Sequence, residues 1–213
     1  MPRHSTDDYE QGPVAGNASH TTNNVDNRPI AQLHVNVTNP TQHYTAMSDH
    51  AAALAAALIR NFNEVPLTRL LREPHYDAQG ARLAKGTAAR KLGASFDILA
   101  PGKRGCPYHL HHAQEEMFII LEGNGTLRVA GEMLPLRPGD VIFIPPGPEY
   151  PHQIINTSAA PLKYLSISTM ETPEICEYPD SGKFLAEGSL DKATPFEVIG
   201  RRGPSLDYWE GEP

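Results

Sequence analysis

Between Leu92 and Met170 the chain is cut into short apolar runs by glycine and proline. The runs read SFDILAPG, GCPYHLHH, EMFIILEG, GTLRVAGEMLPL, GDVIFIPPG, HQIINTS and PLKYLSISTM. Short strands separated by turn residues at intervals of roughly 8–12 predict a sandwich or barrel. Gly123, Gly125, Gly139 and Gly147 read as turn glycines. A sheet rolled on itself hides its edges and encloses a cavity, as jelly rolls do. The 20 prolines and 17 glycines among 213 residues fit an all-β domain, and the length suits one domain with tails.

Three of these runs carry chemistry. On a strand, residues i and i+2 point to the same face, so His109 and His111 present their imidazoles side by side. The four residues His112 to Glu115 then turn the chain. Glu116 opens the run EMFIILEG, which is expected to return antiparallel beside the first strand. Downstream, His152 begins another short strand. Three imidazoles and one carboxylate meeting inside a barrel suit a divalent first-row metal. The chain has ten histidines, and a lone one on an apolar strand is ordinarily a satisfied core residue. Two on one face, a carboxylate at hairpin distance and a fourth group framed by Pro-Gly turns make a different pattern. His112 and Glu115 have the opposite strand parity and are expected in solvent. Tyr108 and Gln114 are near enough to donate to the ligand histidines, and Asn156 is expected to fix a turn or a backbone group. Cys106 precedes His109 by three residues, which predicts the opposite face and a buried small residue rather than a further ligand.

Gly105, the His109-x-His111 pair, four residues, Glu116, six residues and Gly123 resemble the first cupin motif. Gly139, five residues, Pro145-x-Gly147, four residues, His152, three residues and Asn156 resemble the second, with one extra residue before the histidine. The fifteen residues between Gly123 and Gly139 match a short hairpin between the motifs. The resemblance covers about residues 92–170. It implies a double-stranded β-helix, the jelly-roll barrel of a single cupin unit, since no second HxH follows. The flanks are similar to small single-domain bacterial cupins whose later segment reads STM…PE…EYPDSGK, residues 168–183 here. Many of those have no assigned reaction.

His109, His111, Glu116 and His152 would fill four positions on one divalent metal ion. An octahedral ion keeps two more for water or substrate, whereas tetrahedral zinc would be closed by the same set. Mn, Fe, Ni, Co or Zn all remain open by ligand type. A divalent ion beside one carboxylate leaves a net charge of about +1 in a cavity expected to be apolar, lined by Phe118, Ile120 and Ile154. That charge would attract an anionic or enolisable small molecule chelating through adjacent oxygens. The expectation is an isomerase- or dioxygenase-like enzyme acting on a small organic acid or sugar derivative, with no catalytic acid or base singled out. The alternative is a non-catalytic, metal-dependent binding or sensing cupin. A structural cupin without metal is disfavoured by the complete ligand set.

A net charge of −7 argues against a broad electropositive face for nucleic acid or anionic membrane, and no helix-turn-helix is visible. The start MPRHSTDDYE lacks a signal pattern and no run approaches bilayer length, so a cytoplasmic protein is expected. Residues 1–29 are polar and expected to be a disordered tail. Residues 30–91 are read as an arm and helix packing on the barrel. In the arm Leu33, Val35 and Val37 alternate with polar residues, a strand or a segment that pairs with a partner subunit. The helix spans 47–62, capped by Ser48 or Asp49, with Leu54, Leu58, Ile59 and Phe62 on one face and Pro66 as a stop. Its stripe is expected to pack on the barrel or on a second subunit, and a homodimer follows. Lys85–Lys91, with Arg90, reads as a solvated loop.

Residues 92–172 are the barrel, and 173–213 an irregular extension whose Phe184, Phe196, Tyr208 and Trp209 dock on it. Asp180–Lys183 reads as a surface turn rather than a pocket mouth. Cys106 and Cys176 do not form a disulfide framework. The glycosylation-like triplets at Asn17, Asn36 and Asn156 are taken as chance.

Overall fold

The computed structural model describes residues 47–189 and 195–213. The polar tail over 1–29, the Leu33–Val37 arm and the triplets at Asn17 and Asn36 lie outside the described residues. Helix α1 (Asp49–Leu58) is capped by Ser48, whose hydroxyl accepts from the Ala51 N–H at 3.2 Å. It stops before Pro66 is reached. Ile59 takes an extended backbone, and the Arg60 guanidinium donates to the carbonyl of Ala56 at 2.6 Å, occupying a helix-end acceptor. The helix buries none of its residues, and Leu54, Leu58 and Ile59 are exposed. Among the described residues the stripe therefore does not pack on the barrel, one of the two coverings expected for it. Two bonds tie the segment down instead, Ala88 N–H to Ala57 O at 2.8 Å and Arg60 to Gly86 O at 2.9 Å. Only Phe62 follows the expectation, its ring 5.0 Å from that of Phe96.

Thirteen strands follow: β1 (Thr68–Arg72), β2 (Tyr76–Arg82), β3 (Leu92–Leu99), β4 (Leu110–His111), β5 (Glu116–Glu122), β6 (Gly125–Val129), β7 (Glu132–Leu136), β8 (Val141–Ile144), β9 (His152–Ile155), β10 (Leu162–Thr169), β11 (Glu174–Tyr178), β12 (Lys183–Ser189) and β13 (Pro195–Arg201). They form a six-stranded sheet ordered β1-β2-β3-β10-β5-β8, a four-stranded sheet β13-β12-β11-β4 and a three-stranded sheet β7-β6-β9. All pairings between strands are antiparallel. The all-β jelly-roll architecture is as expected, and the strands run past both ends of the 92–172 segment. Residues 68–82 form a hairpin that extends the large sheet. β11, β12 and β13 stand where an irregular extension was expected. Tyr208 and Trp209 stay exposed, because the extension docks through β11–β4 backbone pairing and needs no aromatic anchor.

The inward face of the large sheet is read from its period-2 burial. Leu99, Phe118, Ile120, Leu162 and Tyr164 are buried, and with Leu127, Ile144 and Ile154 they make the core. Leu162 is fully buried, the kind of position where truncation to alanine costs about 2–5 kcal/mol. Toward the open end of the same face the inward positions turn polar. Ser166 lies between Ser95 and Phe118, and Ser168 between Gly93 and Glu116. Gly123 takes a φ of +82°, and a Cβ there would collide with the carbonyl of Pro161. Gly125, expected in a turn, instead opens β6 against Leu162.

Candidate metal centre

The two histidine-bearing motifs meet backbone to backbone. His109 N–H donates to His152 O at 3.1 Å and His152 N–H donates to His109 O at 2.7 Å. This antiparallel pair sits at the barrel end where β5 begins with Glu116. The expected hairpin between GCPYHLHH and EMFIILEG does not form. β4 pairs with β11, while β5 pairs with β8 and β10, so the histidine pair and the carboxylate face each other from different sheets. The convergence survives because Glu116 shares the inward parity of Phe118 and Ile120.

Glu116 Oε2 is the focus. It lies 2.8 Å from His152 Nε2, 3.5 Å from His111 Nε2 and 3.6 Å from His109 Nε2. Each imidazole turns its other nitrogen to a protein acceptor: His109 Nδ1 to Pro107 O at 2.9 Å, His152 Nδ1 to Tyr150 O at 3.2 Å and His111 Nδ1 to a Glu174 oxygen at 3.3 Å. An Nδ1–H donated outward leaves the Nε2 lone pair pointing in, the tautomer a metal ligand needs. Glu116 Oε2 and His152 Nε2 are buried and make no hydrogen bond of acceptable geometry. Orphaned buried polar atoms of this kind fit a cation between them. His109, Glu116 and His152 place their ligand atoms within 4.8 Å of one another, and so do His109, His111 and Cys176. Hence the residues present suit a divalent metal, with a thiol at the edge of the same cluster.

Electrostatics point the same way. Burial opposes a charge on His109, but the Cys106 thiol and Glu116 beside it push its pKa up to about 11. Burial would also raise Glu116, yet the three imidazoles hold its carboxyl far below the usual carboxylate range. The carboxylate thus helps draw a proton onto His109, and a cation at that point would take the proton's place.

Glu174, Cys176 and Tyr178 were missed by sequence reasoning. They occupy alternate positions of β11 and face the site together, a period-2 signal present in EICEY. Glu174, 3% exposed, accepts from the backbone N–H groups of His112, Ala113 and Gln114 at 2.9–3.0 Å while facing His111. The Tyr178 ring stacks at 6.4 Å on His109, and burial together with the Cys176 thiol drives its phenol well above the ordinary range. These residues, with Cys106, Leu185 and Glu187, wall a cavity of about 170 Å³. The expected apolar lining is a correction: Phe118, Ile120 and Ile154 form the packed floor, and Phe118 touches His152 from below at 5.6 Å between rings.

Cys106 is a further correction. Its Sγ lies 3.6 Å from His109 Nδ1, on the ligand's side, because the chain bends around Pro107 and no regular strand connects the two. His112 lies outside and pairs with Glu177 at 2.8 Å, and Glu115 is exposed, both as expected. Tyr108 does not reach the histidines; its ring lies 3.8 Å under Arg128, which also holds Asp180 through two bonds of 2.7 and 2.8 Å. Asp180–Lys183 is thus a surface turn pinned to the barrel. Gln114 donates its side chain to Glu171 O rather than to a ligand, although it does line the cavity. Asn156, fully buried, fixes its loop by donating to Leu99 O and Ala160 O and accepting from Ser158.

An imidazole–carboxylate cluster inside the mouth of a double-stranded β-helix is a candidate metal site on an all-β barrel. Residues 95–168 match the cupin domain family, and the barrel they help build has the cupin fold. An uncharacterized protein of Methanocaldococcus jannaschii is 42% identical over 60 residues, 28% of this chain and 46% of that protein; the match spans about half the relative's length. A sugar phosphate isomerase from a cupin superfamily, from Silicibacter pomeroyi, superposes with a TM-score of 0.53 at 26% identity, over 62% of this chain and 81% of that one. A protein of Acidithiobacillus ferrooxidans, provisionally named a sugar phosphate isomerase, gives 0.57 at 24% identity over 67% and 92% of the two chains. At that identity the second likeness speaks for the fold alone.

Proposed function

We propose that His109, His111, Glu116 and His152 hold one divalent metal ion and that the protein is a metal-dependent enzyme acting on a small, oxygen-chelating sugar derivative or organic acid. The observation that carries this reading is the convergence of three Nε2 atoms on one carboxylate oxygen, each imidazole anchored through Nδ1. Mn, Fe, Ni, Co and Zn all accept this donor set. A bound ion would supply Lewis acidity, polarising a substrate oxygen and lowering the pKa of bound water. The chain's own groups orient the substrate. Tyr178, held protonated, donates to an oxygen, and Gln114 and Glu187 offer polar contacts at the cavity wall.

Isomerisation is the favoured branch, supported by the likeness to the Silicibacter pomeroyi enzyme. Oxygen-dependent cleavage is its competitor. The test is elemental analysis of natively expressed protein, then aldose–ketose interconversion and oxygen-uptake assays with that metal. Turnover without oxygen consumption supports isomerisation, and oxygen uptake selects the dioxygenase. Protein that takes up no metal refutes the reading.

A non-catalytic binding module is the second reading. It is favoured by one observation: the phenol over His109 is placed to donate a proton-bearing bond but not to accept a proton. Chelators that bind without conversion would establish it. A homodimer belongs to the proposal as well, supported by the exposed Leu54, Leu58 and Ile59 of α1. Sedimentation of a monomer at micromolar concentration would refute that part. A cytoplasmic location, in keeping with free Cys106 and Cys176, completes it. Among the described residues no helix is long and apolar enough to cross a membrane.

A further inference from the structure

Beside the metal centre lies a larger cavity of about 670 Å³, within the range of small-molecule sites. Its wall includes Ser95, Ser166 and Ser168, and its rim carries Arg82, Lys85 and Arg90. The strand register makes it continuous with the metal centre. Ser168 stands opposite Glu116, with both on the inward face, and Gly93 stands opposite Ser168 on the next strand. Two inter-strand steps separate Glu116 from Gly93, roughly 10 Å. Gln114 and Glu187 line both cavities.

The three cations are exposed, and none enters an ion pair among the described residues. Glu187, on the wall shared with the metal cavity, is the one carboxylate lining the space. The Ser95 hydroxyl is committed to Asp97 at 2.5 Å, while Ser168 reaches only the Met170 sulfur at 3.8 Å. Ser166 makes no side-chain bond among the described residues, so two hydroxyls remain to meet a ligand. A loop that reads from sequence as merely solvated thus rims a pocket with concentrated positive charge and hydroxyl donors.

We infer that the substrate chelated at the metal carries a phosphoryl group, and that Arg82, Lys85 and Arg90 bind it with help from the Ser166 and Ser168 hydroxyls. This rests on the metal reading above and names the substrate class for it: a phosphorylated polyol or sugar spanning the two cavities. A phosphate monoester brings a charge of about −1.5 to −2 and three acceptor oxygens, which suits three cations and two hydroxyls better than a single carboxylate does.

The test is calorimetric titration of the full chain with inorganic phosphate at low salt, before and after treatment with a chelator. Phosphate should bind both forms equally, and acetate should not displace it. The double variant Arg82→Gln/Arg90→Gln and the single variant Lys85→Gln should bind phosphate at least tenfold and about threefold more weakly, with metal uptake unchanged. All three side chains are exposed, so folding is not at stake. The inference is overturned by phosphate affinity that ignores these substitutions, by equal binding of acetate, or by phosphate binding that disappears with the metal. Phosphate binding that obeys the variants in a protein that never takes up metal keeps the anion site and refutes the metal reading alone.

Discussion

Glu174 Oε1 lies 3.3 Å from Nδ1 of His111, although 63 residues separate them in the chain. The same carboxylate also receives three backbone N–H groups of the turn that follows His111. One buried side chain therefore sets the orientation of His111, a proposed ligand, and the path of the segment leading to Glu116. Glu174→Gln keeps the shape but replaces an acceptor oxygen with a donor facing N–H groups. A buried donor left unsatisfied costs about 1–3 kcal/mol, so the variant should unfold at lower temperature in calorimetry. Its metal affinity should fall about 10–100-fold, the usual size of losing a partner that orients a ligand.

Removal of the focal groups should be decisive where removal of their neighbours is not. His152→Ala and Glu116→Ala are expected to abolish stoichiometric metal binding in elemental analysis. His112→Ala and Glu115→Ala should retain it, because one pairs outward with Glu177 and the other is exposed.

Metal affinity should depend on pH in a definite direction. Binding requires neutral imidazoles, and the cluster holds His109 protonated with a pKa of about 11. Protons therefore compete across the neutral range, and affinity should rise with pH by about tenfold per unit for each proton displaced. Competition titrations at pH 6, 7 and 8 measure the slope; a flat profile would contradict the arrangement.

Asp97 offers a separate pH test, away from the ligands. Burial raises its pKa, only partly offset by the hydroxyl of Ser95. A carboxyl whose folded pKa is raised stabilises the fold relative to its ionised form, and that advantage is lost as pH rises from the unfolded value through the folded one. Asp97→Asn should accordingly raise the melting temperature by a few degrees at pH 7, with the difference vanishing below about pH 4.

Gly123→Ala should be severely destabilising. The position has φ +82°, and the added methyl would strike Pro161 O. Left-handed backbone at a non-glycine residue costs about 1–3 kcal/mol before any clash. Low soluble yield and an early unfolding midpoint in urea are the expected readouts.

The side-chain cluster was legible because its signal is local: parity fixes the shared face of His109 and His111, and the turn-framed runs fix the barrel. Partner strands were not. Nothing within GCPYHLHH states that β4 pairs with residues 174–178, so the simpler hairpin with EMFIILEG was the natural expectation and proved wrong. Cys106 was misplaced because parity counting assumes a regular strand, and Pro107 breaks it. The exposed stripe of α1 shows the converse limit. Periodicity carried the helix past its end at Leu58, so Ile59 and Phe62 lie beyond it, and what covers an apolar face is a property of the assembled molecule rather than of the helix.

His111 rests on a two-residue strand whose strand partner is β11. Both histidine motifs are therefore synthesised before the segment that steadies one of them exists. On the proposed metal reading, a nascent chain that has just released residue 156 carries both histidine motifs but not the brace of His111, and tight capture of an ion waits for β11. On that reading β11 works as a completion check, and a protein cut short ahead of Glu174 is expected to retain much of its barrel sequence and to bind the proposed metal more weakly.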